Sequence, residues 1–107
     1  IYQIVVNLVT NSMTHAFTGI AHGRMQIQAA ADGDGWVLHY SDNGVGMEES
    51  VRRRIYDPFF TTRRGQGGSG LGMHIVYKLV VQTLDGSIEC ESAIGQGTRF
   101  HVHFPHR

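Results

Sequence analysis

The sequence predicts a two-layer α/β sandwich: a mixed, mainly antiparallel sheet of four strands with helices packed on one face and water on the other. Three observations predict it. Two stretches, residues 1–17 and 71–84, carry apolar residues at helical spacing. Four short segments alternate apolar and polar residues, as half-buried strands do. The turns between them are rich in glycine and aspartate. With 107 residues, residues 1–107 read as one domain that buries roughly two-thirds of the surface its unfolded chain would expose.

Taken in order, "IYQIVVNLVTNSMTHAF" places Ile1, Ile4, Val5, Leu8, Val9, the small Ser12 and Ala16 on one broad face. Asn7, Asn11 and Thr14, at i, i+4 and i+7, form a ridge along its edge. Ile1 already belongs to this pattern without a cap before it, as expected of a fragment of a longer chain. "RMQIQAAA" and "WVLHYSD" read as strands joined by "DGDG", a strong hairpin signal. "MEESVRRRIY" reads as a short helix, with acids early and arginines late to complement its dipole. A glycine-rich stretch then feeds the long helix "LGMHIVYKLVVQTL", and "DG" turns the chain into the strands "SIECES" and "TRFHVHFP".

Strand parity orients the side chains. Thr98, Phe100, Val102 and Phe104 share one face, and Arg99, His101 and His103 the other. Ile88 and Cys90 point inward, and Glu89 and Glu91 outward. Trp36, Leu38, Tyr40 and Asp42 share one register. Asp42 and Thr98 therefore point to the apolar side near strand ends, where a carboxylate and a hydroxyl each need a partner. That is the first sign of a site.

Composition narrows the function classes. Formal net charge is zero, which argues against a general nucleic-acid binder. No apolar run approaches the ~18 residues of a membrane span, so no membrane contact is expected from this fragment. The single cysteine, Cys90, cannot form an internal disulfide, in keeping with a reducing compartment, and parity makes it core. Five of the nine basic residues, Arg52, Arg53, Arg54, Arg63 and Arg64, crowd into positions 52–64, either as a solvated surface or as a local site for an anion. The seven histidines complete no ligand set at a recognised metal spacing. His101, His103 and His106 read as solvated surface, and His74, Lys78 and Gln82 as the wet stripe of the long helix.

"DNGVGM", residues 42–47, sets an acceptor-only carboxylate at a strand end, followed by Gly44 and Gly46 with no Cβ to hold a planar ligand off the backbone. A plain Asp-Asn-Gly turn looks the same. Gly65, Gly67 and Gly70 formally match a dinucleotide fingerprint, but "DPFFTTRR" stands where that mechanism needs an apolar strand. What survives is a glycine-rich segment ending at a helix N-terminus, suited to phosphate, or a plain loop with a helix cap. The Asn7 and Asn11 amide oxygens suit Mg²⁺, which takes oxygen ligands and keeps several waters; asparagines in mid-helix are also commonly solvated surface.

In that order, "NLVTNSMTHAF", "DNGVGM", "DPFFTTRR", "GGSGLGMHIV" and "GQGTRF" resemble the N, G1, F and G2 boxes and final Gly-x-Gly-Thr of the catalytic ATP-binding domain of sensor histidine kinases. The resemblance covers essentially the whole chain. The Phe-Phe-Thr-Thr piece separates these kinases from the topoisomerase, mismatch-repair and chaperone ATPases that share the Bergerat-type fold. The resemblance implies that Asp42 accepts a hydrogen bond from the adenine amino group, with Gly44, Gly46 and Thr98 lining the base pocket. It implies Asn11 as the Mg²⁺ ligand, supported by Asn7. Residues 57–70 look like a lid anchored by Phe59 and Phe60, with Thr62 also at the nucleotide. Gly68, Gly70, Leu71 and Gly72 bring backbone donors to the phosphates. The family often carries a basic residue where this sequence has Thr14; Arg63 is the substitute cation, with Arg64 second. His15 either donates to a phosphate or caps the helix.

The activity implied is transfer of the ATP γ-phosphoryl group to a histidine on a separate dimerisation domain, within cytoplasmic two-component signalling that ends on a response-regulator receiver domain. The alternatives are a non-catalytic nucleotide-binding pseudokinase, which Thr14 alone favours, and an anti-sigma-factor-type serine kinase, which the Phe-Phe-Thr-Thr piece disfavours.

Overall fold

The computed structural model describes residues 2–13, 22–33, 35–57 and 72–105. Its elements are α1 (Tyr2–Asn11), β1 (Met25–Asp32), β2 (Gly35–Asp42), α2 (Glu49–Arg52), α3 (Gly72–Lys78) with a π-helical turn (Leu79–Thr83) directly after it, β3 (Ser87–Ser92) and β4 (Thr98–Pro105). The strands form one sheet in the order β1-β2-β4-β3, and all three pairings among the described residues are antiparallel.

The expected parity holds on the central strands. Leu38 and Tyr40 of β2 and Phe100 and Val102 of β4 are buried, and the helices close over them with Ile4 and Leu8 of α1 and Met73, Val76 and Val80 of α3 and its π turn. Ile4 and Leu8 lie one turn apart on a single face of α1, as the 3.6-residue period requires. The outer face keeps His39, Arg99 and His103 in water.

Three elements depart from the sequence reading. The helix expected over 47–56 shortens to Glu49–Arg52. Beyond it the amides of Arg54, Ile55 and Asp57 bond three residues back, to Val51, Arg52 and Arg54, and these tighter turns bring Ile55 into the core. The helix expected over 71–84 widens after Lys78, where the Leu84 amide reaches five residues back to Leu79 at 2.9 Å. The strand β1 forms with the expected hairpin, yet all eight of its residues are exposed. It is an edge strand, paired among the described residues with β2 alone.

Candidate functional site at the Asp42 end of the sheet

Asp42 and Thr98 are cross-strand partners at one end of the β2–β4 pair, both pointing under the helices and both buried. Parity in the sequence is confirmed, and the partners come from the protein itself. Asp42 Oδ1 accepts the Gly44 amide at 3.0 Å and the Thr98 amide at 3.1 Å. Asp42 Oδ2 accepts the Ser12 hydroxyl at 2.8 Å. The Ser12 oxygen lies 2.7 Å from the Tyr40 hydroxyl. A carboxylate only accepts and Ser12 has one proton, so Tyr40 donates to Ser12 and Ser12 to Asp42. Burial raises the Tyr40 pKa; the Ser12 bond opposes this and the Asp42 charge adds to it. The phenol thus keeps its proton near neutral pH.

Thr98 is ordered in the same way. Ser92 donates its proton to the Gly97 carbonyl at 2.9 Å and accepts the Met47 amide at 2.9 Å. The Thr98 hydroxyl, 2.9 Å from the Ser92 oxygen, must then be the donor in that contact. Its remaining capacity is as an acceptor. Proton counting thus leaves this end of the sheet with two acceptors, Asp42 and Thr98, and suits a ligand that brings donors.

The glycines here serve packing. Gly46 has φ +76, and a Cβ on it would lie 1.9 Å from the Ala93 carbonyl oxygen. Gly97 has φ +74, and its Cβ would lie 2.2 Å from the Asp42 carbonyl oxygen. Segment 44–47 and turn 93–97 therefore dock backbone against backbone, joined by the Gly95 amide on the Val45 carbonyl at 2.8 Å. Beside the clearance for a planar ligand that the sequence suggests at Gly44 and Gly46, the geometry gives Gly46 a second reason, the close approach of two chain segments. Asn43, which the sequence offered only as a turn residue, clamps the strand ends. Its Oδ1 accepts the Arg24 amide at 2.6 Å and its Nδ2 donates to the His22 carbonyl at 3.0 Å.

Asn7 and Asn11 lie on α1, and Asn11 immediately precedes Ser12. Asn7 faces the start of α3: its Oδ1 would lie 3.7 Å from a Cβ on Gly72. Its Nδ2 is buried and has no partner among the described residues, as expected of an amide awaiting a ligand oxygen. Two asparagine amides one turn apart are the neutral oxygen donors that Mg²⁺ accepts alongside phosphate and water. Among the described residues no group of three or more His, Cys, Asp or Glu side chains could hold a metal. Both ends fit a Mg²⁺-nucleotide.

Asp42, Gly44, Gly46 and Thr98 are thus brought together at the strand ends, with Asn11 beside them through Ser12, and Asn7 meets Gly72 where α1 and α3 pack. His15 and Thr14, the lid with Phe59, Phe60, Thr62, Arg63 and Arg64, and Gly68, Gly70 and Leu71 lie outside the described residues. Ser12 is the site residue the sequence reading missed. On an apolar helix face it reads as a small packing residue, and its carboxylate partner is thirty positions away. His74, read as wet, donates its Nδ1 proton to the Tyr56 carbonyl at 3.1 Å. No helix among the described residues is long and apolar enough to cross a membrane.

Comparison with known proteins agrees with this geometry. The profile of the histidine kinase-, DNA gyrase B- and HSP90-like ATPases matches residues 1–107. The alginate biosynthesis sensor protein KinB of Pseudomonas aeruginosa is 35% identical over 105 residues, which are 98% of this chain and 17% of KinB. The chain spans 11% to 17% of the length of the curated relatives it matches. The solved mycobacterial sensor histidine kinase MprB superposes with a TM-score of 0.78 at 27% identity, covering 98% of this chain and 71% of that one. Full-length ShkA, solved in complex with AMPPNP, superposes with a TM-score of 0.78 at 29% identity, covering 96% of this chain and 20% of that one. The chain belongs to the histidine kinase-, DNA gyrase B- and HSP90-like ATPase family, and its likenesses are to the catalytic ATP-binding domains of sensor histidine kinases.

Proposed function

We propose that this chain binds Mg²⁺·ATP and transfers the γ-phosphoryl group to a histidine on a separate dimerisation domain, from which a response-regulator receiver domain takes it. The observation that carries this reading is the Asp42 carboxylate: buried, held by three protein donors, and still able to accept one more. That vacancy matches the amino group of adenine. Thr98, with acceptor capacity only, lies beside it on β4.

Phosphoryl transfer asks the protein mainly for positioning and for neutralised charge. Asn11, with Asn7 one turn before it, would hold Mg²⁺ through amide oxygens, and the bound ion would offset phosphate charge. Gly72, with Gly68, Gly70 and Leu71 before it, would supply backbone donors to the phosphates. Arg63 would supply the side-chain cation absent at Thr14. His15, Phe60 and Thr62 complete the nucleotide contacts in this reading, which rests for them on the sequence resemblance. The setting is two-component signalling in the cytoplasm.

Mixing the chain with a purified histidine-bearing dimerisation domain and γ-labelled ATP tests the proposal. The expected outcome is acid-labile label on the acceptor domain, dependent on Mg²⁺ and abolished in Asn11→Ala. Acid-stable label would point to a serine kinase, and ATP binding without any transfer to a pseudokinase; either would overturn it.

A further inference from the structure

Ser12 stands between the two ends of the site. It is 1% exposed, and its hydroxyl is the middle link of the Tyr40–Ser12–Asp42 chain. Asp42 has about four lone-pair positions. The Gly44 and Thr98 amides fill those of Oδ1, and Ser12 fills one of the two on Oδ2. One acceptor position is left, and Ser12 selects which one it is. Without the Ser12 proton, Oδ2 has two open positions, and the carboxylate loses the only contact among the described residues that fixes that oxygen.

We propose that Ser12, aligned by Tyr40, is a positioning residue for base recognition: it leaves Asp42 a single directed acceptor and so sets the preference for a 6-amino over a 6-oxo purine. The proposal rests on the reading of Asp42 as the base acceptor. Its physical content is directional. Tyr40 donates to Ser12 and Ser12 to Asp42, so each bond polarises the next toward the carboxylate. A 6-oxo purine brings an acceptor to the open position, where it meets an acceptor. An amino group brings a proton aimed where Ser12 is not. Since Asn11 is the preceding residue, the end of α1 that carries the amide assigned to Mg²⁺ leads directly into the residue that steers the base acceptor.

The test is calorimetric titration of ATP and ITP into the wild-type chain, Ser12→Ala, Ser12→Thr, Tyr40→Phe and Asp42→Asn, each checked for folding by thermal melting. Ser12→Ala should lose about five- to twentyfold in ATP affinity, with ITP changed much less, so that the ATP/ITP ratio shrinks by a similar factor. Ser12→Thr, which keeps the hydroxyl, should hold the ratio near wild type. Tyr40→Phe, which removes the first proton of the chain, should narrow the ratio by about two- to threefold and keeps the proposal testable should Ser12→Ala fail to fold. A wild-type ratio in folded Ser12→Ala, or equal losses for ATP and ITP, would overturn the proposal. Should Asp42→Asn also leave the ratio untouched, it is the base-acceptor reading that fails; should Asp42→Asn change the ratio while Ser12→Ala does not, the role of Ser12 fails alone.

Discussion

The β2–β4 pair carries a polar cluster on each face, and the two are built on opposite terms. On the inner face Ser12, Tyr40, Asp42, Thr98 and Ser92 form two chains of hydrogen bonds in which every proton has a direction. On the outer face His39 and His101 meet with their Nδ1 atoms 2.6 Å apart, and His101 Nε2 lies 2.7 Å from Glu91. The Glu91 carboxylate makes that Nε2 a donor, and a single proton serves the two Nδ1 atoms. The distances are alike; the surroundings differ. Under the helices an unmade bond has no water to replace it, whereas on the outer face water competes with every contact. Residue identity is therefore demanding on the inner face and permissive on the outer one.

Breaking the inner cluster from its backbone should have the largest effect. Gly97→Ala or Gly46→Ala places a methyl group against a carbonyl oxygen at a positive φ, which should cost at least about 2 kcal/mol in urea unfolding. A loss below about 0.5 kcal/mol would mean that the two segments part easily.

Asp42 separates ligand recognition from folding. Asp42→Ala leaves the Gly44 and Thr98 amides and the Ser12 hydroxyl without their acceptor, so it should lower both stability and ATP affinity. Asp42→Asn keeps one oxygen for the two amides and turns a donor toward the base. It should lose about 1.5–3 kcal/mol of ATP binding, ten- to a hundredfold, with a smaller stability loss than alanine. Calorimetry and urea melts on the same pair of variants read both quantities.

Cys90 extends the comparison to β3, where it pairs with Phe100. Burial pushes its thiol up from 9.0 to about 12; Arg52 opposes the shift, and Asp42 and Glu91 add to it. The folded chain then holds a proton that the unfolded chain releases. This contribution to stability is complete below about pH 9 and is lost as pH rises toward about 12. Alkylation at pH 8 should accordingly be slow in the native chain and fast in urea, and equal rates would contradict the burial.

The smallest effects belong to the outer face. His39→Ala and His101→Ala should each change stability by no more than about 0.5 kcal/mol and leave ATP affinity unchanged. A larger loss of affinity would show that the two faces communicate.

What the sequence discloses follows the same division. Period-2 alternation is a local property, so it correctly turned Asp42 and Thr98 inward, and the spacing of Ile4 and Leu8 correctly marked the buried side of α1. Ser12 escaped because a helical face only says that a residue is near the core; what it touches depends on a strand thirty positions on. The cross-strand His39–His101 contact, sixty-two positions apart, escaped for the same reason. The widened turn at Leu79–Thr83 keeps its apolar spacing while its hydrogen bonds shift by one residue, and side-chain pattern carries no trace of that. The exposure of β1 depends on where the helices lie, which the strand's own alternation does not encode.

The register of β2 against β4 sets Asp42 opposite Thr98, and this ties the site to the alignment of the two central strands. If β4 slipped by one residue, Thr98 and Phe100 would turn to water and Arg99 would swing beneath the helices. Such a chain would have no second acceptor and an uncompensated guanidinium in its core. In the proposed reading, nucleotide affinity would thus report strand alignment: a slipped β4 leaves Asp42 facing inward but takes the Thr98 amide and hydroxyl away from it.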